Sequence, residues 1–312
     1  MAIMREPVFV GAPSFAAGEF VELEQLELDA TSRASLHDLG VSGARTSGDV
    51  PLMTLAARAA RKVLDAAPIS GDDVDAVVLC TSSFWRHREL SSGEISRTLL
   101  DLGLRRAQVV MASVMGCHNA ITGLRLARSL IRSEQFEHIM LVTVDIAEPG
   151  ATRLADGPSV LGDGAAACLV ATRPYGNAYQ LMDLVLYDKH PIAKLGDSAD
   201  DRQLKLVEWL AAIKSVCSDL LKRNALYSDQ IDRLVCNNYN PRMNRWIASQ
   251  AGVSAGKACA FDRTRGHIWS SDILISLAEI AQARDFERID RLMCVGSGPH
   301  NFGAALLERR AS

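Results

Sequence analysis

The sequence predicts an α/β protein with buried sheets, made of two similar halves. Apolar, β-branched runs of strand length alternate with amphipathic helical segments along the chain. Short stretches of the first half also return, in the same order, in the second. "DDVDAVVLCTSS" corresponds to "DQIDRLVCNNYN", and "GDGAAACLVA" to "NFGAALLER", the mark of an internal duplication.

The elements follow in order. Leu52 to Ala67, "LMTLAARAARKVLDAA", has apolar positions three and four residues apart and reads as a helix. "VDAVVLCTSS" is a short buried strand, and "GEISRTLLDLG" a helix closed by Gly103. "AQVVMASV" is a strand, "NAITGLRLARSLIRS" a helix, "EHIMLVTVDI" a strand, and "DGAAACLVAT" a strand after a glycine-bearing turn. Tyr175 to Asp201, with "GNAYQ" and "KHPIAKLGDSADD", is expected to be a loop-rich connection between the halves. Beyond it, "KLVEWLAAIKSVCSDLLKRN" is a long helix, "DQIDRLVCNNYN" a strand plus loop, and "RMNRWIASQAG" a helix. "SDILISLAEIAQAR" is a further helix, and "DRLMCVGSG" with "FGAALLER" forms a closing hairpin.

Composition bounds the function. A chain of 312 residues with 48% hydrophobic residues is long enough for one large domain or two fused halves. A net charge of -3 gives no electrostatic reason to expect nucleic acid or an anionic membrane surface as partner. "MAIMREPVFVGAPSF" carries an acid early and lacks a long apolar core, and no apolar run of about 18 residues follows. The expected location is the cytoplasm. The seven cysteines are scattered and form no C-x-x-C pair, which argues against a disulfide framework and against a metal site. Most lie inside apolar runs, as small buried hydrophobes do.

Cys117 differs. The strand "QVVMASV" delivers the chain to Met115-Gly116, and a helix starts close after the thiol. A thiol at a helix N-terminus faces unpaired N–H groups and the positive end of the dipole, which favour thiolate. The same N–H groups can hold an oxyanion when the thiol attacks a carbonyl. Gly116 permits close approach. On this local pattern alone, a nucleophile and a buried cysteine at an element boundary remain equal readings.

The rest of the chain separates them. A duplicated α/β chain with Cys at a strand-to-helix junction, "LGDGAAACLVAT" downstream and the ending "GSGPHNFGAALLE" resembles the thiolase superfamily, and within it a β-ketoacyl-ACP synthase III. "DLVLYD", "DQIDRLV" and "FDRTRGH" fall where that family has counterparts. The resemblance implies two duplicated βαβαβαββ halves in an α-β-α-β-α core, residues 1–173 carrying the nucleophile and residues 174–312 carrying the Asn and His loops. It implies that Cys117 becomes acylated and that Gly298 closes the oxyanion hole. It also implies a dimer, and a phosphopantetheine-borne acyl donor rather than a tightly bound cofactor.

The chain departs from the family pattern. Where the family has "V-P-H-Q-A-N", this sequence reads "CNNYNP": the His position becomes Asn237, or Asn238 if the alignment slips by one, and Asn240 matches the later Asn and is a candidate substrate-binding residue. Where the family has "H-G-N", it reads "DRTRGHIW", and the Asn position becomes His267. The swap moves the ionisable group to the other side of the pocket. A base placed there favours deprotonating an incoming hydroxyl or amine over assisting malonyl decarboxylation, and so favours acyl transfer to O, to N or to an unusual carbon nucleophile.

His300 is a second candidate base or a wall of the pocket, and His118, one residue along the helix start, points away from the thiol as a packing residue. Arg86 and His87 make polar a loop that is apolar in the family, which bears on the acyl pocket. The family's Trp and Arg clamp for coenzyme A lacks its Trp here, and Arg153 is displaced, so an acyl carrier protein is the expected donor. The expected function is therefore acyl transfer through Cys117, with His267 activating a small-molecule acceptor and Asn237 orienting or stabilising. The alternatives are decarboxylative carbon–carbon condensation and a silent partner subunit. A dehydrogenase is disfavoured, because no G-x-G-x-x-G follows the first strand.

Overall fold

The computed structural model describes residues 6–83, 90–133, 136–148, 152–155, 159–284 and 286–309. The first half runs β1 (Phe9–Ala17), β2 (Glu19–Glu22), α1 (Ala30–Asp38), β3 (Gly43–Thr46), α2 (Leu52–Ala66), β4 (Ala76–Cys80), α3 (Ser92–Asp101) and β5 (Gln108–Ala112). It continues with α4 (Asn119–Arg132), β6 (His138–Asp145), the short pair β7 (Leu154–Ala155) and β8 (Ser159–Val160), and β9 (Gly164–Ala171). The second half runs β10 (Tyr179–Asp188), α5 (Ala199–Arg223), β11 (Arg233–Cys236), α6 (Pro241–Ala251), α7 (Ser271–Gln282), β12 (Arg291–Ser297) and β13 (Asn301–Glu308).

Among the described residues, nine strands form one sheet in the order β11-β12-β13-β10-β1-β9-β6-β4-β5. It is two copies of one pattern joined edge to edge where β1 meets β10. Outward from the join, β9, β6, β4 and β5 follow β1, while β13, β12 and β11 follow β10. Parallel β4–β6 in one half answers parallel β11–β12 in the other. The counterpart of β5 in the second half has dwindled to a single parallel bridge between Leu234 and Ala258.

The strands are apolar on both faces because both faces are covered. On β9, Ala166, Cys168 and Val170 face a central layer formed with α4 and α7, while Ala165, Ala167 and Leu169 face α2. On β12, Leu292 and Cys294 face the same central layer, while Met293 and Val295 face α5 and α6. The layers are therefore helix, the first half's strands, helix, the second half's strands, helix, with the two strand layers continuous through β1 and β10. The central α7 is buried around nearly its whole circumference, which explains why "SDILISLAEIAQ" is apolar on all sides. The other surface helices bury one stripe; α2 buries Leu52, Leu55, Ala56, Ala59 and Val63.

One expectation is overturned. The supposed loop-rich connection Tyr175 to Asp201 contains the ten-residue strand β10, which pairs antiparallel with β13. Its register shifts between Leu181 and Asp183, which breaks the two-residue alternation that would have marked it.

Candidate active site

The two central helices present their N-terminal ends to one site. β5 leads into a tight turn, Gly116–His118, that runs straight into α4. Gly116 has φ +54, a conformation glycine adopts without strain, and it lies against the β12–β13 turn, where an added Cβ would sit 3.3 Å from Pro299 Cδ. His118 N–H donates to Met115 O at 3.1 Å, and Met115 N–H donates to the Asn119 side chain at 3.1 Å. The Cys117 N–H takes part in neither bond and stands at the positive end of α4. The half-buried thiol projects from this turn.

The facing histidine is held by a loop with its own internal logic. Asp262 accepts hydrogen bonds from Thr264 N–H at 2.8 Å and Arg265 N–H at 3.2 Å. Gly266 then takes φ +73, and His267 pairs with the strand end beside it. Its N–H donates to Val160 O at 2.7 Å and its carbonyl accepts from Gly162 N–H at 3.0 Å. This places His267 Nε2 2.9 Å from Cys117 Sγ. On the other side, His267 Nδ1 lies 2.6 Å from Asp272 Oδ2, in the first turn of α7. Asp272 is fully buried and also accepts from Asn238 N–H at 2.7 Å and Ile268 N–H at 3.0 Å. The result is a Cys–His–Asp row. Burial alone would lower the His267 pKa. The Cys117 sulfur and the Asp272 carboxylate outweigh it and raise the imidazole to about 10.

The structure distinguishes the three asparagines of "CNNYNP". Asn237 is buried, and its Nδ2 donates to Trp269 O at 2.8 Å and to Cys117 O at 3.3 Å, while its Oδ1 accepts from Ser297 N–H at 3.3 Å. Its amide ties three backbone segments together and has no proton left for a substrate oxygen. Asn238 fastens the histidine loop: its side chain donates to Asp262 O and Gly266 O and accepts from Asp262 N–H. Asn240 caps α6, accepting from Arg242 and Met243 N–H at 3.0 and 2.9 Å.

The remaining candidates fall around this row. Gly298 does lie beside Met115 and Gly116, but its N–H donates to Asn301 O at 2.7 Å and so closes the β12–β13 turn. His300 sits in the same turn, with its carbonyl accepting from Lys189 N–H. His118 is buried and turned toward β13; a Cβ on Gly303 would meet its Nε2 at 2.2 Å, and burial pushes its pKa down to about 4. Arg153 pairs with Asp163 through two bonds of 2.9 Å, so its guanidinium fork is engaged within the protein. Arg86 and His87 lie outside the described residues. Among the described residues, no group of three or more His, Cys, Asp or Glu side chains could hold a metal ion.

Three residues at the site are not evident in the sequence pattern. Asp272 lies five positions after His267, inside an apolar helix, and the one available signal was an acid in the first turn after a histidine loop. Tyr239 sets its ring 4.5 Å from the His267 ring, and its hydroxyl donates to Ser297 O. Burial and the nearby Cys117 sulfur hold that hydroxyl well above the ordinary tyrosine pKa. Trp269, with its ring 6.2 Å from that of His267, adopts φ +37. For a bulky residue this costs about 1–3 kcal/mol and persists only where the surroundings impose it.

A cysteine at the head of a central helix, in a duplicated α-β-α-β-α fold, with a histidine opposite, defines a thiolase-superfamily enzyme that works on acyl groups. The family model of 3-oxoacyl-[acyl-carrier-protein] synthase III matches residues 113–189, and that of its C-terminal part matches residues 221–309. The chain belongs to this synthase III-like family of acyl-transferring and condensing enzymes. A β-ketoacyl-[acyl-carrier-protein] synthase III of Clostridium perfringens is 22% identical over 328 aligned positions, covering 98% of this chain and 100% of its own. The solved 3-oxoacyl-[acyl-carrier-protein] synthase III of Aquifex aeolicus superposes with a TM-score of 0.79 at 17% identity, over 97% of this chain and 100% of that one. The acyltransferase ChlB3 superposes with a TM-score of 0.79 at 20% identity, over 97% of each chain.

Proposed function

We propose that the protein is an acyltransferase that takes an acyl group from a phosphopantetheine thioester onto Cys117 and passes it to an oxygen or nitrogen nucleophile of a small molecule. The observation that carries this reading is the hydrogen-bonded row Cys117 Sγ, His267 Nε2, His267 Nδ1, Asp272 Oδ2, with spacings of 2.9 and 2.6 Å. A carboxylate behind an imidazole orients it and supports its positive charge, which suits a base. Decarboxylative condensation instead calls for two uncharged donors at the enolate oxygen. With both Asn237 protons spent on backbone carbonyls, the second donor is missing.

The chemistry balances in two steps. The Cys117 sulfur attacks the thioester carbonyl, its new S–C bond replaces the donor's, and the departing pantetheine thiolate takes the proton from His267. The Cys117 N–H and the α4 dipole stabilise the tetrahedral oxyanion. Once acylated, the sulfur carries no charge, one of the two influences that raise the His267 pKa is gone, and the neutral imidazole takes the acceptor's proton. The acceptor's O or N attacks the acyl-enzyme, and Cys117 leaves as thiolate beside the re-formed imidazolium.

Engagement of Arg153 by Asp163 supports an acyl carrier protein over coenzyme A as donor, and a role in a specialised biosynthetic pathway fits the altered His and Asn positions. A second copy of the chain fits along β5, one of the two edge strands of the sheet, where Val109 is 43% exposed and Val114 beyond it 67%. In this reading residues 1–173 supply the nucleophile and residues 174–312 the base and its carboxylate. Malonyl-loaded carrier protein tests the reaction class. Retention of the full malonyl mass on Cys117, without carbon dioxide release, is the expected result; stoichiometric carbon dioxide release with a lengthened acyl chain would establish condensation instead.

A further inference from the structure

We infer that Trp269 limits the acyl group to a short one, of the acetyl to propionyl kind. The inference rests on the acyl-transfer reading above and deepens it. Among the described residues, Cys117 and Ala155 pack against a small buried apolar cluster of Ala147, Leu161 and Trp269. An acyl chain attached to the sulfur is apolar, and this cluster is the apolar ground beside it. Ala147, Ala155 and Leu161 are small or of middling size. Trp269 is the largest side chain a protein can place there, and it is 8% exposed, so its faces are already covered by protein.

Its position is imposed. The backbone at Trp269 is left-handed, φ +37, and the residues around it are pinned. The Trp269 carbonyl accepts from Asn237 Nδ2 at 2.8 Å, Ile268 N–H donates to Asp272 Oδ1 at 3.0 Å, and Ser270 Oγ donates to Asp145 Oδ2 at 2.9 Å. These bonds, one of them to the carboxylate behind the base, therefore hold the indole in the cluster against which Cys117 packs. A close-packed wall fixed in this way does not yield to extra methylenes. An aromatic acyl group gains nothing from it either, since little indole face is free to stack.

The experiment uses acyl-pantetheine thioesters from acetyl to octanoyl, with benzoyl beside them, and follows the rate of mass gain on the intact protein. Trp269→Gly removes the indole and accepts the left-handed backbone without strain, and Trp269→Leu gives an intermediate volume. The inference expects acetyl and propionyl to load the wild type at least about a hundredfold faster than octanoyl or benzoyl, a ratio several excluded methylenes can supply. It expects Trp269→Gly to load octanoyl, with Trp269→Leu in between. Octanoyl or benzoyl loading the wild type as fast as acetyl overturns the inference and leaves the acyl-transfer reading standing. So does an unchanged preference in both variants while acetyl still loads. A wild type that accepts no thioester of any length overturns the acyl-transfer reading, and this inference with it.

Discussion

Cys117 Sγ and His267 Nε2 stand 2.9 Å apart although 150 residues separate them in the chain. Each comes from the head of a central helix: Cys117 from the turn into α4, His267 from the loop into α7. The duplicated fold brings these two helix starts together, and the site follows from that meeting. Asp272 adds the third member from within α7 itself.

Asp272→Asn replaces the charge behind the imidazole with a neutral amide of the same shape. Acylation by a pantetheine thioester should slow by roughly 10²–10⁴-fold, the range seen when an oriented base loses its carboxylate. The His267 pKa should fall, because one of its two raising influences is lost. Alkylation of Cys117 by iodoacetamide across pH reads the second effect, and a profile identical to wild type would contradict it.

Asn237→Ala leaves the Cys117 and Trp269 carbonyls and the Ser297 N–H without their shared partner. Stability should drop by about 1–3 kcal/mol, read from urea unfolding at neutral pH. If Asn237 instead worked only on substrate, unfolding would be unchanged.

Asn240→Ala removes the cap of α6 and should cost about 1 kcal/mol. The rate of Cys117 acylation should stay at the wild-type value. A loss of acylation with stability intact would assign Asn240 to the substrate site after all.

His118 is buried and its pKa is depressed from 6.5 to about 4. The unfolded chain therefore binds its proton more readily than the folded protein. The stability tied to this group is complete above pH 6.5 and is lost as pH falls toward 4. Asp145 works against it. Burial raises its carboxyl to about 6 despite donors from Ser82, Ser83, Thr81 and Ser270, so between its ordinary value of 3.8 and 6 it stabilises on acidification. The comparison of wild type with His118→Asn isolates the histidine. The variant should lose less stability between pH 6.5 and 4.5, and equal slopes would contradict the assignment.

Much of the architecture can be read from residues, because burial on both faces writes long apolar strands and one-sided burial writes amphipathic helices. β10 escaped because a register shift at Leu181/Asp183 interrupts its alternation. At the site, Cys117 was legible from a strand, a glycine and a helix start in succession, and His267 from a glycine loop at a motif position. Asp272 was not, since one acid in the first turn of an apolar helix looks like an ordinary helix start. Nor was the division of labour among Asn237, Asn238 and Asn240, which depends on which backbone groups the fold brings within reach of each amide. The strain at Trp269 is likewise a property of the folded loop.

The central claim is that Cys117, held by His267 and Asp272, carries the acyl group. Intact-protein mass spectrometry after exposure to acetyl-pantetheine tests it most directly, with Cys117→Ala alongside. The account predicts one acetyl mass on the wild type, mapped to Cys117, and none on the variant. The same gain on Cys117→Ala, or acetylation mapped to another residue in the wild type, would contradict it.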